Sequence, residues 1–228
     1  MEHKSSARLN CFARHYVEIA VRSMISAEQL FEQLKDESTY ELTEYYYNEI
    51  WNHKIETVVF SFMAIESFIN DYSCKLFGDD FFNEDTQQLA PLAKLQICYM
   101  FVTGKEIDKS SNVCYSHIKN LTKERNQYVH NKSSHLQGMT YEEMSENSQK
   151  NEADEIQDLQ HDIIRGKKNS SKDAIQKAHF AIRTIYELSS LLDSIDKNVD
   201  AKFFLLGMNS AYSVTNPSYM IEIRKRFQ

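Results

Sequence analysis

The side chains best suited to chemistry stand close together in the stretch 125–130, which reads Arg-Asn-Gln-Tyr-Val-His. An imidazole has an ordinary pKa near ~6.5, so His130 could take up or release a proton at neutral pH. A guanidinium is always charged and presents a fork of N–H donors, so Arg125 could hold a phosphate and offset the charge that grows on it. These residue types suit the cutting of RNA by acid–base chemistry, with the RNA's own 2′-hydroxyl as the nucleophile.

The spacing of these residues limits how they can act together. Positions five apart on a helix point about 140° away from each other, so Arg125 and His130 do not converge on their own. Asn126 and His130 are four apart and share a face, so the Asn126 amide could orient the imidazole. Arg125 must then reach round the helix or act with a neighbouring group.

The charge of the chain restricts how it could meet RNA. Lys and Arg number 26 against 33 Asp and Glu, a net charge of −7, which disfavours broad attraction to nucleic acid. A local basic patch surrounds the motif, where Lys119, Lys123 and Lys132 accompany Arg125 and the acid Glu124. We expect these lysines to bind RNA. The alternative is an ordinary solvated face of a helix.

Two further residues could support the motif. Glu66 falls on the apolar stripe of a central helix, between Phe62 and Ile69, where an unpaired carboxylate would be costly. Arg125 also interrupts an apolar stripe, so we expect Glu66 to pair with it and fix the guanidinium, a purely structural ion pair being the alternative. Tyr128 lies one step from the face of the motif and is interpreted as a core residue that supports it.

No metal or cofactor site is expected from the sequence. The four cysteines, at positions 11, 74, 98 and 114, form no Cys-x-x-Cys pair, and buried free thiols are the better interpretation. Two closer pairs, Cys11 with His15 and Cys114 with His117, offer two ligands each where a structural zinc needs four.

The composition and the apolar periodicity predict an all-α protein, a bundle of four to six helices. Only five Gly and two Pro are present, which favours long helices and few turns. We expect a first helix over 9–34 and a second that a Ser38–Glu41 capping box opens and Gly78 ends, with a candidate break at Asn48. A third helix is expected from Pro91 to Gly104, and a fourth from near Ser110 through the motif. A short helix over 156–163, a connector over 166–171 and a last helix capped by Ser170 and Asp173 would follow.

The helical domain is expected to span residues 1–198, with a polar stretch inside it. Ser, Asn, Gln and Glu replace apolar residues over 131–155, which predicts a mobile insertion directly after His130. Residues 199–228 form a C-terminal extension whose pattern fits either short strands or a docked terminal segment. Because no apolar run approaches the ~20 residues of a membrane span and the first residues lack the apolar core of a signal peptide, we expect a cytoplasmic protein with no membrane partner.

The pattern R-N-x-x-x-H at the end of the fourth helix resembles the signature of the HEPN superfamily, an arginine followed by a histidine after four to six residues. Arg8 and His15 also satisfy this spacing, but only Arg125 is followed by Asn and lies on a late helix. The stretch Ala64–Asn70 on the central helix, and the helix that precedes the motif, add to the likeness. The resemblance covers residues 9–198.

The resemblance implies a HEPN-like bundle of four or five helices that cleaves single-stranded RNA without a metal. In such nucleases two motifs usually meet across the cleft of a homodimer, which would answer the divergence of Arg125 and His130. It further implies a bacterial toxin or an antiphage defence factor, with an antitoxin or defence-system protein as partner. Some relatives carry a tyrosine two residues after the histidine, to which a partner attaches nucleotides. Lys132 stands there in this chain, which argues against that modification.

Three functions remain open at this point. The leading hypothesis is an endoribonuclease, the second a HEPN-like module that binds RNA or a nucleotide without cutting it, and the third a structural helical subunit. Cleavage that is lost while binding persists after a change of His130 would select the first, and binding without cleavage the second. The sequence does not identify the RNA, the trigger or an inhibitor, because a cleft that grips the RNA backbone leaves little trace of base preference.

Overall fold

The computed structural model describes residues 12–79, 86–129, 152–201 and 205. These residues form five α-helices: α1 (Ala13–Asp36), α2 (Tyr40–Phe77), α3 (Pro91–Thr103), α4 (Val113–Val129) and α5 (Glu152–Ile195). None of the described residues lies in a β-strand. The expected all-α class is therefore confirmed.

Helix α2 is the centre of the bundle and packs against each of the other four helices. Its buried face includes Val58, Phe62, Ile65 and Ile69, the apolar stripe from which a central helix was predicted. These side chains join buried residues of α1, α3, α4 and α5 in one continuous core. Burying each large apolar side chain contributes roughly 1.5–3 kcal/mol to the stability of the fold. The core therefore fixes the position of α4, the helix that carries Arg125 and Asn126.

Helices α2 and α5 run parallel in a constant register. Lys167 on α5 pairs with Glu44 near the start of α2, and Asp196, directly after α5, accepts a 3.0 Å hydrogen bond from Tyr72 Oη near the end of α2. The partners are 123 and 124 positions apart in the chain. Helix α5 is therefore fastened to both ends of α2.

Glycines end α2 and α3 as predicted. Gly78 has φ 87° and Gly104 has φ 70°, values that a residue with a side chain adopts only with strain. Helix α3 also begins at Pro91 in its first turn, as predicted. These ends were predictable because they depend on the backbone preferences of single residues.

The start of α2 differs from the prediction. Thr39, and not Ser38, precedes the first helical residue, and its side chain makes no capping hydrogen bond. The carboxylate of Glu37 instead accepts hydrogen bonds from the backbone N–H groups of Ser38 and Thr39, at 2.9 and 2.7 Å. Helix α2 also continues through Asn48, whose amide donates to Glu44 one turn earlier at 3.2 Å. The predicted capping box and the break at Asn48 are both wrong.

The connector predicted over 166–171 is part of one helix, because α5 is continuous for 44 residues. Gly166 costs a helix about 1 kcal/mol, and contacts to other helices offset this cost. Lys167 Nζ lies 5.2 Å from the ring centroids of both Tyr40 and Tyr47 on α2. Lys168 Nζ donates to the Lys35 carbonyl at the end of α1, at 2.8 Å. The local sequence favours a turn here, but packing against α1 and α2 maintains the helix.

Two expected segments lie largely outside the described residues. Of the polar stretch 131–155, residues 152–155 form the first turn of α5 and the others are not among those described. Beyond residue 198, Val199, Ala201 and Leu205 are buried against the main core. The core thus continues past the boundary expected at residue 198.

The cysteines and the membrane question can be stated for the described ranges. Cys74, Cys98 and Cys114 are buried free thiols, as expected, and burial raises the pKa of Cys98 to about 11 and that of Cys114 to about 12. Cys11 lies outside the described residues. Across these ranges, every helix is too short or too polar to span a bilayer.

Candidate functional site at the last turn of helix α4

The last turn of α4 carries three of the predicted site residues, Arg125, Asn126 and Tyr128. Helix α4 buries Cys114, Ile118 and Leu121 against the bundle, and Arg125 follows Leu121 on the same face. His130 directly follows the last described residue of this turn and Lys132 comes soon after, so both lie outside the described residues.

Phe62 of α2 and the adjacent Asn126 are among the described residues that hold the Arg125 guanidinium. Its central carbon lies 5.2 Å from the centroid of the Phe62 ring on α2, within the range of a cation–π contact. Its Nη1 donates to the Asn126 Oδ1 at 3.0 Å. The side chain as a whole is half-buried, and its Nε is fully buried. Arg125 is therefore an ordered cation at the edge of the bundle.

Asn126 was predicted to orient the imidazole of His130. In the structure its amide oxygen already accepts the hydrogen bond from Arg125. The NH₂ end of the same amide is the part that could reach a residue one turn later. The contact of this amide with His130 stays a prediction, because His130 lies outside the described residues.

The expected pairing of Glu66 with Arg125 is wrong. The structure shows no ion pair between these two described side chains, and the guanidinium lies over Phe62, one turn earlier on α2. Glu66 instead acts on Lys94 of α3, a buried side chain whose ammonium donates to Asn70 Oδ1 at 2.8 Å. Burial lowers the pKa of Lys94 and the charge of Glu66 partly opposes this. The stripe pattern placed Glu66 correctly on a packed face but could not tell which neighbouring helix it meets.

Tyr128 is half-buried and lies in a polar cluster. Its hydroxyl donates to the carboxylate of Glu124, one turn earlier on α4. Burial, together with this carboxylate, raises the pKa of Tyr128 well above its usual value. Tyr128 was interpreted as a core residue, and the structure gives it this hydrogen bond in addition.

Sequence reasoning missed the most unusual side chain of this region, Lys54 on α2, which is fully buried. Its ammonium lies 3.9 Å from the Trp51 ring centroid, 4.2 Å from the Tyr128 ring centroid and 3.6 Å from Glu124 Oε1. Lys177 on α5 reaches the same carboxylate oxygen at 2.9 Å. We refer to Lys54, Trp51, Glu124, Tyr128 and Lys177 together as the Lys54 cage.

The electrostatics of the Lys54 cage follow from burial. Desolvation lowers the pKa of Lys54 to about 8, with Glu124 opposing this effect and Lys177 adding to it. Burial alone would raise the pKa of Glu124, but hydrogen bonds from Tyr128 and Lys177 and the charges of the two lysines lower it. Glu124 is therefore an ionised carboxylate shared by two cations.

A sequence signal for Lys54 existed. Lys54 stands four residues from Ile50 and four from Val58, both fully buried, so it interrupts an apolar stripe. The same test drew attention to Glu66, which lies between Phe62 and Ile69 on the same helix. Applied to every charged residue of the helix, it would have found Lys54 as well.

The predicted basic patch is only partly within the described residues. Lys119 and Lys123 are exposed on α4, as RNA contacts must be. Glu124, the single acid of the patch, is engaged by Lys54 and Lys177. The exposed charge of this face of α4 is consequently more positive than the sequence suggests.

Another ionisable pair lies two turns earlier on α4. His117 Nδ1 lies 2.5 Å from Glu187 Oε2 of α5, and the imidazole packs edge-on against Phe180 at 4.8 Å. Glu187 also lines a wide, open cavity of about 370 Å³ together with Asn112, Val113, Cys114, Tyr186 and Ser190. Among the described residues, no group of three or more His, Cys, Asp or Glu side chains is arranged to hold a metal ion.

Comparisons with known proteins add nothing to this geometry. Neither family models, nor curated proteins, nor solved structures gave a match to the chain. The function must therefore be argued from the chemistry of the last turn of α4.

Proposed function

We propose that this chain is a HEPN-like endoribonuclease that cleaves single-stranded RNA by general acid–base chemistry. The observation that carries the proposal is the Arg125 guanidinium, which Phe62 and Asn126 hold at the edge of the bundle. It stands in the helical turn that leads directly to His130. A preorganised cation costs little to align when a phosphate arrives, which is why such groups lower reaction barriers.

The proposed reaction uses a nucleophile that the RNA supplies. His130 takes the proton of a 2′-hydroxyl, and the 2′-oxygen attacks the adjacent phosphorus. The bond from phosphorus to the 5′-oxygen breaks, and that oxygen leaves as a hydroxyl after taking a proton from the protonated imidazole or from solvent water. The products are a 2′,3′-cyclic phosphate and a 5′-hydroxyl. Arg125 binds the non-bridging phosphate oxygens throughout and offsets the charge that develops on them.

A homodimer would complete the site. The two motif residues diverge along one helix, so a second copy of the last turn of α4 would supply the complementary group across a shared cleft. Lys119 and Lys123 would extend the positive surface along the bound strand, and Lys132, outside the described residues, is proposed as a further RNA contact. The setting we propose is a toxin or antiphage effector that a partner protein restrains.

The proposal is tested by incubating the full chain with a single-stranded RNA and with DNA of the same sequence, both with chelator present. We expect RNA to be cut to the two product ends named above and DNA to survive, because DNA lacks the 2′-hydroxyl. His130→Ala should slow cleavage by about 10² to 10⁴ and leave much of the RNA affinity. Arg125→Ala should reduce both affinity and rate.

Matched controls come from α5, where His161 and Arg165 are exposed and remote from α4 in the chain. His161→Ala and Arg165→Ala should behave like the wild type. Cleavage that requires magnesium, equal cutting of DNA, or full activity in His130→Ala would refute the proposal. RNA binding without any cleavage would favour the non-catalytic binding module instead.

A further inference from the structure

The Lys54 cage contains a buried cation, and removing its charge from water lowers the stability of the bundle. The Lys54 side chain is 0% exposed, and its ammonium makes no hydrogen bond to any described residue. The buried indole N–H of Trp51 beside it also has no hydrogen-bond partner among the described residues. An apolar side chain of similar size would avoid the cost of removing an ammonium from water. Charged side chains that are buried at such a cost occur often at functional sites, where the charge itself has a role.

The position of the Lys54 cage next to Arg125 indicates what role this charge could have. Glu124 directly precedes Arg125, and Tyr128 lies three residues after it, so two members of the cage flank the arginine within one helical turn. Both contact Lys54, whose ammonium lies 3.6 Å from the carboxylate and 4.2 Å from the phenol ring. Through Lys54, helix α2 therefore contacts the last turn of α4, which precedes His130 in the chain.

We propose that Lys54 is a positioning residue for the motif, and that its positive charge fixes Glu124 and Tyr128 and thus the turn that carries Arg125. This inference rests on the proposed ribonuclease function. When Lys54 loses its proton, the half-exposed Lys177 is the one cation of the cage left to Glu124, beside the hydrogen bond from Tyr128. The last turn of α4 then loses its ion pair with α2 while the contact of Arg125 with Phe62 remains, and Arg125 is held less firmly against a phosphate.

The charge of Lys54 can change under ordinary conditions. The ionisable groups that face it are Glu124 and Tyr128 from α4 and Lys177 from α5. Desolvation places its pKa at about 8. The rate of RNA cleavage should therefore fall as pH rises through about 8.

Trp51 offers a direct optical test, because it is the only tryptophan of the chain and its ring centroid lies 3.9 Å from the Lys54 ammonium. We would titrate the intrinsic fluorescence of the full chain between pH 6.5 and 10, and measure the kcat and KM of RNA cleavage over the same range. The variants are Lys54→Met, which has no charge, Lys54→Arg, which keeps it, and Lys177→Met. Circular dichroism confirms that each variant is folded.

We expect one fluorescence transition near pH 8 in the wild type, coincident with the loss of kcat. Lys54→Met should lack the transition and show a kcat lower by about 10- to 100-fold at pH 7, with a smaller change in KM. Lys54→Arg should lack the transition but keep its kcat at pH 9, where the wild type has lost it. Lys177→Met should shift both midpoints to higher pH, because Lys177 lowers the pKa of Lys54.

These outcomes separate this inference from the proposed function. If Arg125→Ala and His130→Ala abolish cleavage but the Lys54 variants keep the wild-type pH profile, the positioning role is refuted and the nuclease stands. If Lys54→Met folds and cleaves like the wild type at pH 7, the positioning role is refuted too. If cleavage is independent of Arg125 and His130, the proposed function itself fails, whatever the fluorescence shows.

Discussion

The burial of Lys54 leads to a quantitative prediction for the stability of the fold. In the unfolded chain the lysine holds its proton up to its ordinary pKa of 10.5, whereas in the folded chain desolvation lowers the pKa to about 8. Between these two values the unfolded state binds more protons than the folded state. The free energy of unfolding must therefore rise with pH across this window.

The size of the effect follows from the same two pKa values. Each pKa unit corresponds to about 1.4 kcal/mol, so the full window of pKa is worth about 3.5 kcal/mol of unfolding free energy. Below pH 8 the lysine is charged in both states, so the full cost of burying its charge lowers the free energy of unfolding. Lys54→Met removes that cost, so the variant should be more stable than the wild type at pH 7 and should lose its advantage toward pH 10.

The assay is urea unfolding of the wild type and of Lys54→Met at pH 7, 8, 9 and 10, followed by far-ultraviolet circular dichroism. The difference between the two proteins cancels the titration of the other lysines and of Tyr128 to a first approximation. We expect the difference to shrink by about 1.4 kcal/mol for each pH unit above 8. Parallel pH curves for the two proteins would refute the reasoning, since they would mean that Lys54 has an ordinary pKa in the folded chain.

The other predictions concern helix α5, the basic patch and assembly. Gly166→Ala should stabilise the protein by about 1 kcal/mol in urea unfolding, because the added methyl meets nothing within 4 Å and the position is helical. A loss of stability would show that Gly166 serves as a turn. Neutralising Lys119, Lys123 and Lys132 together should flatten the dependence of RNA affinity on salt by about 2–3 units of log–log slope, and an unchanged slope would reduce the patch to solvated surface. Light scattering should show a homodimer at tens of micromolar, as a composite site at Arg125 requires, whereas a strict monomer with and without RNA would contradict it.

The elements that depend on single residues were predictable from the sequence. Gly78, Gly104 and Pro91 set helix ends through their own backbone preferences, and the structure has those ends. The wide apolar stripe of α2 predicted a central helix, because a helix that is apolar on most sides must be surrounded. The continuity of α5 was not predictable, since it depends on contacts that Lys167 and Lys168 make with distant helices.

In the candidate site, too, the positions of residues along a helix were predictable from the sequence, whereas their partners on other helices were not. The local part, the position of Arg125 and Asn126 at the end of α4, was predicted, whereas the hydrogen bond between the two side chains was not. The partners across helices were not predictable, because stripe position fixes the face of a residue but not the rotation of the neighbouring helix. Glu66 consequently acts on Lys94, while Lys54, passed over in the sequence, lies next to the motif.

The parallel register of α2 and α5 has a consequence for how such chains can diverge. Glu44 meets Lys167 near one end and Tyr72 meets Asp196 near the other, so the two helices measure the same length against each other. A single residue inserted between Glu44 and Tyr72 would turn everything beyond it by about 100° and move it by about 1.5 Å. Both contacts survive only if α5 gains a residue at the matching level. Insertions and deletions in these two helices should therefore occur together, or in steps of about seven residues that return each face to its partner.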